Sequence, residues 1–171
     1  MTEKEIIVNE KIDEGNRRIR NYVMYSAGAG FVPVPLLDMV LLSGIQLKMI
    51  SSLSSLFDVK FSKGISKNVI GSLVGGVLPV SLAPSLGSFL KIIPIVGQTI
   101  GAVTMPITSG AATYAVGKVF LQHFASGGTF LDFDPEKVRA YFAEQFKEGQ
   151  KVAADVAGAG TATGAGKAKS A

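Results

Sequence analysis

Between Asn68 and Gly117 the chain carries a single charged side chain, Lys91. A run of that length has to be buried in protein or hosted by lipid, and this limits the possible folds more than any other feature. A helix needs about 20 apolar residues to cross the hydrocarbon core of a bilayer. Asn68–Leu90 and Ile92–Gly117 each have that length, with Lys91 at the natural turn between them. The expected element is an apolar helical hairpin over 68–117. It is interrupted by Pro79, Pro84, Pro94 and Pro106. In water these prolines break helices, since each removes a backbone donor and clashes with the preceding turn. In a bilayer they are tolerated where neighbouring helices satisfy the freed groups. Gly71, Gly75, Gly97, Gly101, Gly110 and Ala112 recur along the run and favour close helix contact.

Composition supports a membrane host. Charged residues make up 18% of the chain, against about 25% in a typical soluble domain, and the mean hydropathy is +0.36. The net charge of +4 suits an anionic lipid surface and is too diffuse for nucleic acid. Cysteine is absent, which excludes disulfides, thiolate zinc sites and a cysteine nucleophile. Glu3, Glu5 and Glu10 stand where a signal peptide would need a basic and then an apolar stretch.

The flanks read as helices. Residues 1–20 form a short amphipathic N-terminal helix with Val8, Ile12 and Ile19 on one face, ending in the basic cluster Arg17, Arg18 and Arg20. Across 21–47 the only charge that breaks the apolar run before Lys48 is Asp38, and Gly28, Gly30, Pro33 and Pro35 predict two short helices with an elbow at Phe31–Pro35. The second runs from about Leu36 to Phe57. Asp58–Lys67 is a polar connection carrying Lys60, Lys63 and Lys67. Gly127-Gly128 predicts a turn, and Asp134-Pro135-Glu136 a helix start with Asp as cap and Pro at the first position. That helix is expected over 135–157, followed by a disordered Gly/Ala/Thr/Lys/Ser tail over 158–171. The whole is an all-α helical bundle, with 21–157 as its main domain. Basic residues on both flanks of the hairpin place the N- and C-termini in the cytoplasm.

A search for catalytic chemistry ends quickly. Gly117-Lys118-Val119 and Gly166-Lys167-Ala168 lack the hydroxyl that completes a phosphate loop, and Pro33 stands where a dinucleotide fingerprint needs its third glycine. His123 is the only histidine, so it is expected as a side chain at the end of the last apolar helix beside Phe120 and Phe124. Neither catalysis nor a cofactor is expected. Asp38 suits either a functional charge at membrane depth or a helix cap near Pro35. Lys91 suits a hairpin tip reaching for water. Arg17, Arg18 and Arg20 suit either anionic lipid or an ordinary solvated face.

Several segments occur together in order: Val32-Pro33-Val34-Pro35-Leu36-Leu37-Asp38, Gln46-Leu47-Lys48-Met49-Ile50, Leu90-Lys91-Ile92-Ile93-Pro94-Ile95-Val96-Gly97 and Thr113-Tyr114-Ala115-Val116-Gly117-Lys118. With Gln122-His123-Phe124 and Gly127-Gly128, they resemble a bacterial domain-of-unknown-function family found alone or C-terminal to Era-like GTPase domains. The resemblance covers about residues 20–150. It implies a membrane-associated helical module that works with a small GTPase, here in trans, and it carries no catalytic residue with it. Asp38 and Gln46 look like polar positions of the family and are interaction candidates. The expected function is a membrane-associated adaptor or scaffold, with Gly/Ala faces suited to homo-oligomers. A soluble helical module that oligomerises through the hairpin is the alternative. A weaker one is an ion or small-solute pathway built on Asp38 and Lys91.

Overall fold

The computed structural model describes residues 2–29, 35–90 and 97–167, with side chains placed over 2–29, 40–76 and 105–158. These residues form an all-α bundle of five helices: α1 (Glu3–Ala29), α2 (Pro35–Leu56), α3 (Lys63–Leu90), α4 (Gly97–Ala125) and α5 (Pro135–Lys167).

Local chemistry accounts for several boundaries. Pro35 opens α2, where its missing N–H costs nothing. The side-chain Oδ1 of Asp134 accepts the Glu136 N–H at 3.0 Å, so α5 starts where its cap predicts. Gly127, at φ 84°, ends α4: the Gly128 N–H donates to the His123 carbonyl and the Gly127 N–H to the Phe124 carbonyl, each at 2.9 Å. This is a Schellman cap. α2 ends in the same way, but its left-handed residue is Asp58, at φ 59°, with the Val59 N–H on the Ser54 carbonyl at 2.8 Å.

Three expectations need correction. First, the N-terminal helix does not stop near residue 20. Its inward stripe continues through Gly15, Ile19, Val23, Ser26 and Ala27, so α1 is one long helix. The expected elbow falls mostly on residues 30–34, outside the described residues. Second, among the described residues α3 and α4 are not closely paired, and the expected hairpin turn at Lys91 lies outside them. α4 packs chiefly on α5, α1 and α2, whereas α3 lies against α5 and α2 and meets α4 only slightly. Among the described residues no helix is long and apolar enough to cross a membrane. Third, α5 runs past Ala157 to Lys167, through much of the expected tail. Its alanines are strong helix formers.

The core explains much of the missing charge. From Ser109 to Gly117 every residue of α4 is buried, and a helix buried on all sides can hold no unpaired charge. Ile19 and Val23 of α1, Met49, Ile50 and Leu53 of α2, and Phe142 and Phe146 of α5 enclose the core that it runs through. Small residues set the spacing. A Cβ added at Gly117 would lie 2.7 Å from Ile19 Cγ1, one at Gly110 2.7 Å from Ala153 Cβ, and one at Gly149 2.9 Å from the Ala111 carbonyl oxygen. Pro106, buried and inside α4, does not end the helix. Packing on the neighbouring helices offsets an interior proline's cost of about 3 kcal/mol.

Candidate functional site

α2 has two contrasting faces. Gln46, Met49, Ile50 and Leu53 turn inward and are almost fully buried. Val40, Leu41, Gly44 and Lys48 turn outward. Val40 is 70% exposed and Leu41 45%, which is unusual for large apolar side chains at neighbouring positions. On α1, Met24 and Tyr25 are exposed as well, and on α4 Met105.

A groove flanks α2 on each side. Towards α1, a cavity of about 500 Å³ is lined by Tyr22, Tyr25, Leu41, Ile45 and Lys48, and shared with Val40 and Gly44. The rings of Tyr22 and Tyr25 meet edge to face at 6.0 Å. Towards α3, a cavity of about 530 Å³ is lined on one wall by Val40, Ser43, Gly44 and Leu47, and on the other by Lys63, Lys67, Ile70 and Gly71. Among the described residues neither lining contains a carboxylate. Exposed aliphatic residues beside tyrosines and lysines are the combination that settles at a membrane–water boundary, where aromatic rings lie at headgroup level and lysine stems lie along apolar surface.

Behind this surface lies a buried polar node. The hydroxyls of Ser26 and Thr113 are 2.8 Å apart, and Gln46 Nε2 donates to Thr113 Oγ1 at 3.4 Å. All three side chains are almost wholly buried. The node joins α1, α2 and α4 through groups that find no water, so each depends on the others. Gln46, an interaction candidate in the sequence, therefore sits inside the bundle. Ser26 and Thr113 were missed, although a hydroxyl inside an apolar helix is itself a signal that a partner is needed.

The arginines are largely engaged within the protein. Arg17 donates to the Glu14 carboxylate at 3.0 and 2.8 Å. Arg18 donates to it at 2.8 Å and reaches the Ser52 carbonyl and hydroxyl at 3.0 Å each. Hydrogen bonds from Arg18 and then Arg17 hold the Glu14 carboxyl below its usual range. Arg18 thus ties α1 to α2, while Arg20 is exposed. Position 38 lies on α2, but the Asp38 side chain and the whole of Lys91, and with them the ion-pathway pair, lie outside the described residues.

His123 serves the α4–α5 loop. Its Nε2–H donates to the Thr129 carbonyl at 2.8 Å, and its ring meets Phe133 edge to face at 4.7 Å. Asp132 accepts both the N–H and the hydroxyl of Thr129 at 2.6 Å, which lowers its pKa. Among the described residues no group of His, Asp or Glu could hold a metal ion.

Comparison with known proteins places the chain. Residues 3–151 match the family model of the domain of unknown function DUF697. Magnetosome membrane protein 22 of Magnetospirillum gryphiswaldense is 40% identical over 139 residues, a stretch covering 81% of this chain and 71% of that protein. No solved structure matches. The family match extends from the start of α1 well into α5 and so takes in the α2 ridge, both grooves and the buried node: the chain belongs to the DUF697 family.

Proposed function

We infer that this protein is a non-catalytic, membrane-associated helical adaptor that rests the exposed face of α2 on the lipid surface. One observation carries the reading: Val40 and Leu41 stand exposed between two lysine-bearing grooves, one of them walled by Tyr22 and Tyr25. Burying one such aliphatic side chain is worth about 1.5–3 kcal/mol, and each nearby lysine adds about 1 kcal/mol on an anionic surface. The name of the magnetosome membrane relative supports the same location. Docking that is interfacial rather than spanning is supported by the burial of Ser109–Gly117 of α4 in the protein core, with no helix among the described residues long and apolar enough to cross a membrane. The basic groove residues favour the anionic cytoplasmic leaflet, which keeps both termini on that side. The resemblance to modules found beside Era-like GTPases supports a GTPase partner acting in trans.

The test is flotation with phosphatidylglycerol vesicles. Wild-type protein should float, and Val40→Glu/Leu41→Glu should remain at the bottom of the gradient with unchanged helix content. Equal flotation of the variant would sink the reading. GTPase partnership is checked separately, by nucleotide-dependent co-purification of an Era-like GTPase.

A second reading has its own support. The same exposed apolar face could pair with a second copy, making a soluble homo-oligomer. Detergent-free sedimentation at a multiple of the 17.9 kDa chain mass, reduced to a monomer by the same double variant, would favour it.

A further inference from the structure

We propose that the groove between α2 and α3 is a binding site for one anionic phospholipid, an inference that rests on the membrane-association reading above. The two walls are complementary helix faces. Val40, Gly44 and Leu47 lie at successive turns of α2, opposite Lys63, Lys67 and Ile70 of α3. A Cβ built at Gly44 or at Gly71 meets no atom within 4 Å. The two glycines therefore border open space and do not serve close helix packing, unlike Gly110 or Gly117.

Two cations stand at one end of the groove. Lys63 and Lys67 are four residues apart on one helical face, where like charges repel. They also occupy the first turns of α3, whose N-terminal dipole favours anions over cations. No carboxylate pairs with either among the described residues, whereas Lys11, Arg17, Arg18, Lys137 and Arg139 each have one. An anion between the two ammonium groups offsets both penalties. The rest of the lining is Val40, Ser43, Gly44, Leu47, Ile70 and Gly71, in which one hydroxyl stands among apolar groups, and this suits an acyl chain. Val40 and Gly44 also line the tyrosine-walled groove on the other side of α2, so the site opens onto the surface that meets the bilayer. That continuity favours a lipid over a soluble phosphate. The phosphodiester lies at Lys63 and Lys67, and the chain runs towards Val40.

The test is calorimetric titration of the full chain with dihexanoyl phosphatidylglycerol kept below its micellar concentration. Saturable one-to-one binding is expected, with inorganic phosphate alone giving none. Lys63→Gln/Lys67→Gln should weaken it about thirty-fold, a factor of about five for each cation. Gly44→Leu should abolish saturation by filling the groove. Lys147→Gln/Lys151→Gln removes the same charge from α5 and should stay within about twofold of wild type. Circular dichroism confirms that every variant retains its helix content, and the lysine pair, being exposed, keeps the test valid if Gly44→Leu fails to fold. Binding unchanged in Lys63→Gln/Lys67→Gln, or matched by inorganic phosphate, overturns the proposal. A chain that floats with vesicles yet shows no saturable site also overturns it and leaves interfacial docking standing. One that binds the dispersed lipid one to one but fails to float keeps the groove and loses the docking reading.

Discussion

Gly117 shows how closely α4 is held. A methyl group there would press on Ile19, which is fully buried and has no room to retreat. Alanine would raise helix propensity by up to about 1 kcal/mol, but overpacking costs about 1–3 kcal/mol. Gly117→Ala should therefore lower stability by up to about 2 kcal/mol in urea unfolding, and a gain would show that α1 can shift. The opposite sign is expected at Gln145, whose buried Oε1 has no hydrogen-bond partner among the described residues. Replacing an unsatisfied buried amide by an apolar side chain of similar length removes its desolvation penalty. Gln145→Met should raise the midpoint of urea unfolding, by about 1 kcal/mol in stability.

At the scale of the helices, Thr113 is where three elements depend on one hydroxyl. Thr113→Val keeps the shape but leaves Ser26 and Gln46 buried without their partner. A loss of about 1–3 kcal/mol is expected. Double-mutant cycles with Ser26→Ala should show strong coupling, and additive losses would mean that the two hydroxyls act independently. The same elements show what a sequence can disclose. The start of α5 at Pro135 and the turn at Gly127-Gly128 were legible because caps are local chemistry. The extent of α1 was not, since the basic cluster Arg17–Arg20 and the apolar stretch after it read as the boundary between two elements. The character of α4 was ambiguous for a physical reason: lipid and protein interior exclude charge equally, and only Ile19, Val23, Gly149 and Ala153, contributed by other helices, tell them apart. Gly149 and Ala153 carry no hydrophobic signature of their own. In the candidate site, Lys63 and Lys67 were visible as charges, but the groove exists only once α2 is placed beside α3. Gln46 was visible, but its partner Thr113 lies 67 positions away.

For the molecule as a whole, the alkaline limb of stability carries a signature. Burial, reinforced by Glu148, raises the Tyr114 pKa above 10.0. Burial, reinforced by Glu144 and Glu148, does the same for Tyr141. The folded state then holds these protons more tightly than the unfolded chain. Their contribution is full below about pH 10, the unfolded tyrosine value, and is lost as pH rises through the higher folded values. Thermal midpoints should fall more steeply with pH above that point in wild type than in Tyr114→Phe/Tyr141→Phe, and equal slopes would contradict it.

The closeness of α1 and α4 also has a consequence in time. Lys118 donates to Asn16 across 102 positions, and Ser26 meets Thr113 across 87. A ribosome adding about 5–20 residues per second exposes α1 for roughly 5–20 seconds before α4 exists to receive it. During that interval Ile19 and Val23 form an apolar stripe with no intramolecular cover beyond what α2 provides. The nascent chain is thus most vulnerable, and most available to a chaperone or a lipid surface, before its central helix has been made.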